Sequence, residues 1–265
     1  MTIDDKYQKL RDDLSRYDSL AVAFSGGVDS SFLLKTAHEV LGDRALALTV
    51  DSVFIPRAEI EEALSFCRRY GIRQKIVFAD VLADSNIKSN PPDRCYYCKR
   101  GLFELLRNEA EAASIHVLAE GTNTDDDGDY RPGMRALSEL GIQSPLRLAG
   151  LSKAEIRELS RRAGLDSWDK PSMACLASRI AYGESLSQEK LSAVEETETL
   201  IRGFGVRQCR VRVHGTLARI EVPPEEFSLL LKQRDALVEK LRQHGYSYIT
   251  LDLEGFRSGS MNEIL

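Results

Sequence analysis

A strand-like run that breaks into a double glycine and then starts a helix constrains this chain more than any other feature. Ser19–Phe24 is short and apolar. Ser25-Gly26-Gly27-Val28-Asp29-Ser30 follows it directly, and a helix-like stretch from about Asp29 to Leu41 is closed by Gly42. The glycines permit a tight turn and close approach of backbone to a ligand. The free amides at a helix start, together with the helix dipole, favour an anion there. Ser25 and Ser30 add hydroxyl donors. No lysine follows, so this is not the GxxxxGK[ST] nucleotide loop. A Gly-Gly pair alone reads as an ordinary cap, but the two serines, the aspartate and the strand-to-helix setting favour an anion loop.

The same rhythm continues. Ala45–Asp51 is a second strand, Glu59–Tyr70 a helix closed by Gly71, and Gln74–Ala79 a third strand. Asp84–Arg94 is polar with two prolines and reads as a loop. A helix runs from about Cys95 to Ala113, and His116–Glu120 is a fourth strand ending at Gly121. Alternation of this kind predicts an α/β fold, a parallel sheet with helices on both faces, whose ligands sit at the carboxyl ends of the strands. Asp51-Ser52 and Gly121-Thr122 end two of these strands; each is either part of the ligand site or an ordinary loop start. Ser152–Gly164 is a helix with a Ser152/Glu155 capping box, and Trp168–Arg179 reads as an irregular connector.

After about Tyr182 the texture changes. A helix near Gln188–Phe204, strands Arg210–Val213 and Arg219–Val222 joined at His214-Gly215-Thr216, a long helix from Pro223-Pro224 to His244 and a last strand Tyr246–Leu251 make a small α+β domain. The predicted division is 1–180 and 181–265. The period of two puts Arg210 and Arg212 on one face, and Arg219 and Glu221 likewise. That face is either solvated or a phosphate clamp, since arginine forks match phosphate oxygens. Glu198 falls on the apolar stripe of Leu191, Val194 and Ile201.

Composition excludes several classes. The chain has 265 residues, 43% hydrophobic and 29% charged, which rules out a disordered protein. No apolar run approaches the roughly 20 residues of a membrane helix. The charged start MTIDDKYQKLRDDL is no secretory signal, so no membrane association and a cytoplasmic location are expected. Net charge is −5, and from Ala181 onward eleven Lys/Arg face thirteen Asp/Glu. Neither half is a basic module, so no nucleic-acid partner is expected.

Five cysteines remain: Cys67, Cys95, Cys98, Cys175 and Cys209. Cytosolic disulfides are rare. Cys67 lies on an apolar helix face and reads as core; Cys209 reads as structural. Cys95 and Cys98 form a CxxC at a helix start, which is a redox pair, half a zinc site, or incidental. A structural zinc site wants four ligands. Three thiolates, with Cys175 as the third, suit a four-iron cluster with one open iron. Spacing alone does not bring Cys175 to the CxxC.

SGGVDS is similar to the PP-loop of the ATP pyrophosphatases: GMP synthetase, NAD synthetase, argininosuccinate synthetase and tRNA thiolases. These enzymes cleave ATP between the α and β phosphates and pass AMP to an acceptor. The resemblance implies that Ser25, Gly26, Gly27, Val28, Asp29 and Ser30 hold pyrophosphate with Mg²⁺, and that Asp51, Ser52, Gly121 and Thr122 lie along the ATP.

A wider set of motifs narrows this further: RCYYCK, EGTNTDDDGDYRPGMRAL, SPL, KPSMACLASR, RVRVHGTLARIEV and LDLEGFRSGSMN. Together they resemble the LarE family of ATP-dependent sulfur transferases, over nearly the whole chain. The resemblance implies adenylylation of each carboxylate of pyridinium-3,5-biscarboxylic acid mononucleotide and replacement of AMP by sulfur, for the nickel-pincer cofactor of lactate racemase. One design in this family spends the sulfur of a single cysteine, matching Cys175, and leaves dehydroalanine. The other holds a [4Fe-4S] cluster on three cysteines, matching Cys95, Cys98 and Cys175, which is the pattern here. If no cluster forms, Cys175 acts alone, with Arg179 favouring its thiolate. Ser178, Arg179, Glu198, Arg210, Arg212, Glu221 and Arg257 match the family's substrate and phosphate pocket. A small-molecule nucleotide substrate and a homo-oligomer are also implied. A tRNA thiolase with three cluster cysteines and a nucleotide-binding iron–sulfur carrier that does not cleave ATP are the alternatives.

Overall fold

The computed structural model describes residues 1–128, 132–171, 174–257 and 260. Parts of three motifs, at 129–131, 172–173 and 258–259 with 261–262, lie outside the described residues. In chain order the elements begin α1 (Ile3–Ser15), β1 (Leu20–Ala23), α2 (Val28–Leu41), β2 (Ala45–Asp51), α3 (Arg57–Tyr70), β3 (Arg73–Phe78) and α4 (Ser85–Lys88). Next come α5 (Arg94–Ala112), β4 (Leu118–Ala119), α6 (Pro132–Glu139), α7 (Pro145–Leu148), α8 (Lys153–Arg162) and α9 (Gln188–Gly203). The last are β5 (Arg210–His214), β6 (Leu217–Glu221), α10 (Phe227–Lys232), α11 (Arg234–Gln243) and β7 (Tyr248–Leu251).

Two compact units result: Met1–Asp80 with Cys95–Met173, and Val81–Arg94 with Ala174–Leu265. The change of texture predicts a single junction near 180, whereas the second unit begins at Ala174 and also takes in the segment ahead of the CxxC.

The first unit holds a four-stranded parallel sheet in the order β3-β2-β1-β4. Its central strands are apolar on both faces because both are covered. Val22, Ala45 and Ala47 pack with Leu10 and Leu14 of α1, Phe32 and Leu33 of α2, Ala63 of α3 and Ile156 of α8. On the other face, Ala21, Leu46 and Leu48 pack with Leu106 and Ala110 of α5. The predicted α/β sheet with helices on both faces is therefore what forms. Helix α1, which the strand-and-helix rhythm does not announce, starts at a Thr2/Asp5 capping box. The predicted Ser152/Glu155 box opens α8.

The second unit is built on the sheet β5-β6-β7, with β5 and β6 antiparallel and β7 parallel to β6. Residues Leu191, Val194 and Ile201 of α9 are buried, as are Val211, Val213 and Ile220 of the sheet. Two expectations are corrected here. The Asp84–Arg94 loop contains α4, whose N-cap Asp84 accepts a hydrogen bond from the Asn86 amide. The single long helix to His244 is broken at Gln233, which leaves helical geometry (φ −111°, ψ 15°) while its side-chain amide donates to the Phe204 carbonyl at 3.2 Å.

Candidate functional site

The Ser25–Ser30 loop lies at the carboxyl end of β1. Gly26 adopts φ +71°, a left-handed conformation that favours glycine. Gly27 is an extended N-cap with no side-chain cap bond. The Ser25 and Ser30 hydroxyls sit 3.1 Å apart, and Ser30 Oγ donates to the Gly27 carbonyl at 3.2 Å. The loop is thus ringed by hydroxyls ahead of the open amides of α2.

Two ammonium groups converge on this loop. Lys153 Nζ, from the first turn of α8, donates to Asp29 Oδ2. Lys170 Nζ donates to the Gly26 carbonyl at 3.1 Å and also pairs with Glu62. Asp29 Oδ1 is buried without a hydrogen-bond partner among the described residues. Burial pushes the Asp29 carboxyl above its usual range, against the opposing pull of the Lys153 hydrogen bond and charge. Sequence reasoning missed both lysines. They lie more than a hundred residues downstream of the loop, and only the fold brings them back.

Two other strand ends of this unit carry predicted site residues. Asp51, at the end of β2, pairs with Arg57 at 2.6 Å, and Arg57 Nη2 also donates to the Ser52 carbonyl at 3.1 Å. Gly121 follows β4 and lies against the start of α2. A Cβ built on it would come within 2.9 Å of the Ser30 amide nitrogen. Only a glycine fits so close a backbone approach. Thr122 is buried, and its amide and hydroxyl donate to Glu120 at 3.0 and 2.7 Å.

In the second unit Arg179, Glu198, Arg210, Arg212 and Glu221 of the predicted pocket are buried in ionic contacts, and the solvated-face reading is overturned for them; Ser178 and Arg257 stay partly exposed. Arg210, Arg212 and Glu221 are all under 5% exposed. The Arg179 side chain is fully buried; its Nε and Nη2 donate to Glu198 at 2.8 and 3.0 Å. Glu198 Oε1 also accepts from the Val211 amide at 3.0 Å, which ties α9 to β5. Burial alone would raise the Glu198 carboxyl, but the Arg179 hydrogen bonds, then the charges of Arg179 and Arg210, bring it below its usual range. Arg212 donates to Glu221 at 3.1 Å, to the Ser178 carbonyl at 2.8 Å and to Ser260 Oγ at 3.0 Å. Arg210 stacks over Phe256 at 5.3 Å. Burial first, then the neighbouring Arg179, pulls its guanidinium down to about 10. Arg257 pairs with Glu254 at 2.9 Å and lies 3.8 Å from Asp252. Ser178 Oγ donates to the Cys175 carbonyl at 2.8 Å.

The expectation that Arg179 favours the Cys175 thiolate is corrected. Its Nη1 instead donates to the Ala174 and Cys175 carbonyls, while Glu198 takes the rest of the guanidinium. It shapes the backbone of the Cys175 turn.

The cysteines sort by exposure. Cys67 and Cys209 are buried, and burial pushes both thiols up to about 12. Cys95 and Cys98 are half-buried and Cys175 is exposed. Within the second unit, Arg94, the residue before Cys95, donates to Asn90 Oδ1 and, at 3.2 Å, to the Ala177 carbonyl. Asn90 Nδ2 donates to the Ile180 and Ala181 carbonyls at 3.3 and 2.8 Å. Among the described residues no group of three or more His, Cys, Asp or Glu side chains is gathered to hold a metal ion, and no helix is long and apolar enough to cross a membrane.

A parallel α/β sheet with a glycine–serine anion loop at the start of α2, two lysines on that loop and a separate arginine-rich unit defines an ATP-pyrophosphatase-like class of protein. Comparison with known proteins agrees. Residues 3–88 match the NAD synthase family. A component of the glutamine-hydrolyzing GMP synthase from Thermoplasma acidophilum is 28% identical over 85% of this chain and 74% of its own. An uncharacterized protein of Synechocystis is 40% identical over 99% of both chains. The pyridinium-3,5-bisthiocarboxylic acid mononucleotide synthase of Lactiplantibacillus plantarum is 36% identical over 93% of this chain and 90% of its own. The chain belongs to the family of that synthase, the LarE family.

Proposed function

We propose that this chain is an ATP-dependent sulfur transferase that adenylylates the carboxylates of pyridinium-3,5-biscarboxylic acid mononucleotide and converts them to thiocarboxylates. The observation that carries the reading is the Ser25–Ser30 loop with Lys153 and Lys170 against it, in a chain akin to a bisthiocarboxylic acid mononucleotide synthase over nine-tenths of its length. Helix amides, two serine hydroxyls and two ammonium groups suit the β- and γ-phosphates that leave as pyrophosphate. Asp29, whose Oδ1 is buried and unpartnered among the described residues, fits the phosphate-bound Mg²⁺, which would neutralise charge on the departing pyrophosphate. Asp51, Ser52, Gly121 and Thr122 would lie along the nucleotide.

Arg210, Arg212 and Arg257, with Ser178, would hold the substrate's phosphate. Arg179, Glu198 and Glu221 would fix those groups by the hydrogen bonds that bury them. The adenylylated carboxylate is then open to attack by sulfur, with AMP as leaving group.

Cys95, Cys98 and Cys175 would hold a [4Fe-4S] cluster, which would supply the transferred sulfide. What supports this reading is thiol chemistry and exposure, since Cys67 and Cys209 are buried and these three are not; the described residues do not gather the three thiols into one group, so the cluster would have to bring them together. The protein would act in the cytosol as a homo-oligomer. Without a cluster, Cys175 would attack the acyl adenylate itself, displacing AMP to give a thioester. Loss of its α proton and cleavage of its Cβ–S bond would then leave dehydroalanine and the thiocarboxylate.

Iron and acid-labile sulfide measured on protein purified without oxygen test the sulfur source. About four irons per chain, lost in Cys95→Ala, support the cluster. No iron, with dehydroalanine at Cys175 after turnover, supports the sacrificial route.

A further inference from the structure

We propose that Glu120 is a positioning residue for the phosphate loop, acting through the Gly121–Thr122 turn; the proposal rests on the ATP reading above. Glu120 directly follows β4, with its backbone amide tied to the Gln143 carbonyl at 2.9 Å. Its side chain is buried, and three neutral donors hold it. Thr122 N and Thr122 Oγ1 reach Oε2 at 3.0 and 2.7 Å, and Ser144 Oγ reaches Oε1 at 2.6 Å. Ser144 precedes α7, so the carboxylate pins the strand end to a second element.

The turn that Glu120 fixes is the one that touches α2. The space a Cβ on Gly121 would occupy reaches within 2.9 Å of the Ser30 amide and 3.2 Å of Asp29. The same turn leads to Asn123, whose Oδ1 accepts from the Asp125 amide at 2.9 Å. Asp125 Oδ2 in turn accepts from the amide of Lys153, the lysine that grips Asp29. A shift of the turn therefore reaches the loop on both sides of Asp29. A buried carboxylate held by neutral donors is costly unless those bonds are made, and here they act on loop geometry.

The test is the affinity of the full-length protein for inorganic pyrophosphate with magnesium, measured by calorimetry beside the melting temperature. Glu120→Ala leaves three donors without their acceptor and is expected to weaken pyrophosphate binding about tenfold. Glu120→Gln keeps a carbonyl oxygen for Thr122, and the Ser144 hydroxyl can turn to accept from the new amide. Its affinity is expected to stay within about threefold of the parent. Affinity is a property of the folded molecules, so loss of stability alone does not move it.

Parent-like binding by Glu120→Ala, with or without a lowered melting temperature, overturns the proposal. So does an equal loss in the Gln variant, which would point to the charge and not the hydrogen bonds. If Glu120→Ala does not fold, Ser144→Ala removes one donor and is expected to weaken binding about threefold; unchanged affinity there counts against the proposal. If the parent protein itself fails to bind pyrophosphate, the ATP reading falls first, and the proposal with it.

Discussion

Removing Glu198 should unfold the second unit far more easily than its single carboxylate suggests. Glu198 is 1% exposed and accepts three hydrogen bonds, two from the fully buried Arg179 and one from the Val211 amide. Glu198→Ala leaves a buried guanidinium with Arg210 as a nearby like charge. Breaking a buried pair by deleting one partner costs about 3–5 kcal/mol. With a urea dependence of roughly 1–3 kcal/mol per molar, the midpoint should fall by at least about 1 M. Urea unfolding followed by far-ultraviolet circular dichroism measures this. A double variant, Arg179→Met with Glu198→Leu, should recover much of the loss, because an apolar pair of similar volume needs no ion desolvation. The pH sign follows from the depressed Glu198 carboxyl. Its contribution is present above the unfolded glutamate range and is lost as pH falls through its lower folded value. A single-variant loss under about 1 kcal/mol, or a double variant no more stable than Glu198→Ala, would refute the reasoning.

Other outcomes follow from the same geometry. Asp29 is held above its usual range mainly by burial, so the charged carboxylate costs stability at neutral pH. Asp29→Asn should keep stability within about 1 kcal/mol while pyrophosphate release falls, as melting and a coupled pyrophosphate assay would show. Gly121→Ala drives a methyl to 2.9 Å from the Ser30 amide, against backbone that cannot swing away. It should cost roughly 1–3 kcal/mol and weaken ATP binding, checked by melting and calorimetry. Native protein freed of metal should react with iodoacetamide at Cys95, Cys98 and Cys175 but not at Cys67 or Cys209, whose thiols are buried and shifted up to about 12. Peptide mass mapping reads the pattern, and labelling of Cys209 before Cys175 would contradict it.

What can be read from the sequence is what repeats locally. The strand–glycine–helix break at Ser25–Ser30, the apolar runs of β1 and β2, and the Ser152/Glu155 box each carry their signal within a few residues. Helix α1 is legible in principle, since Thr2 and Asp5 form a capping box and Leu10 and Leu14 share one face. The charge of the segment conceals it. Lys153, Lys170 and Glu120 are not legible. Their partners are Asp29, Gly26 and Ser144, and only the fold closes those distances. In β5 the alternation is plain, but the period of two cannot say whether the arginine face meets water or a carboxylate. Glu198 on the stripe of α9 is the one local sign that buried charge lies opposite.

The central claim, ATP cleavage to AMP and pyrophosphate in the service of a pyridinium carboxylate, is tested most directly by product analysis. Protein purified without oxygen is incubated with ATP, Mg²⁺ and pyridinium-3,5-biscarboxylic acid mononucleotide, and the nucleotide products are resolved. The account predicts AMP and pyrophosphate in equal amounts, dependent on the carboxylated acceptor and lost in Ser30→Ala. ADP and phosphate, or pyrophosphate release indifferent to the acceptor, would contradict it.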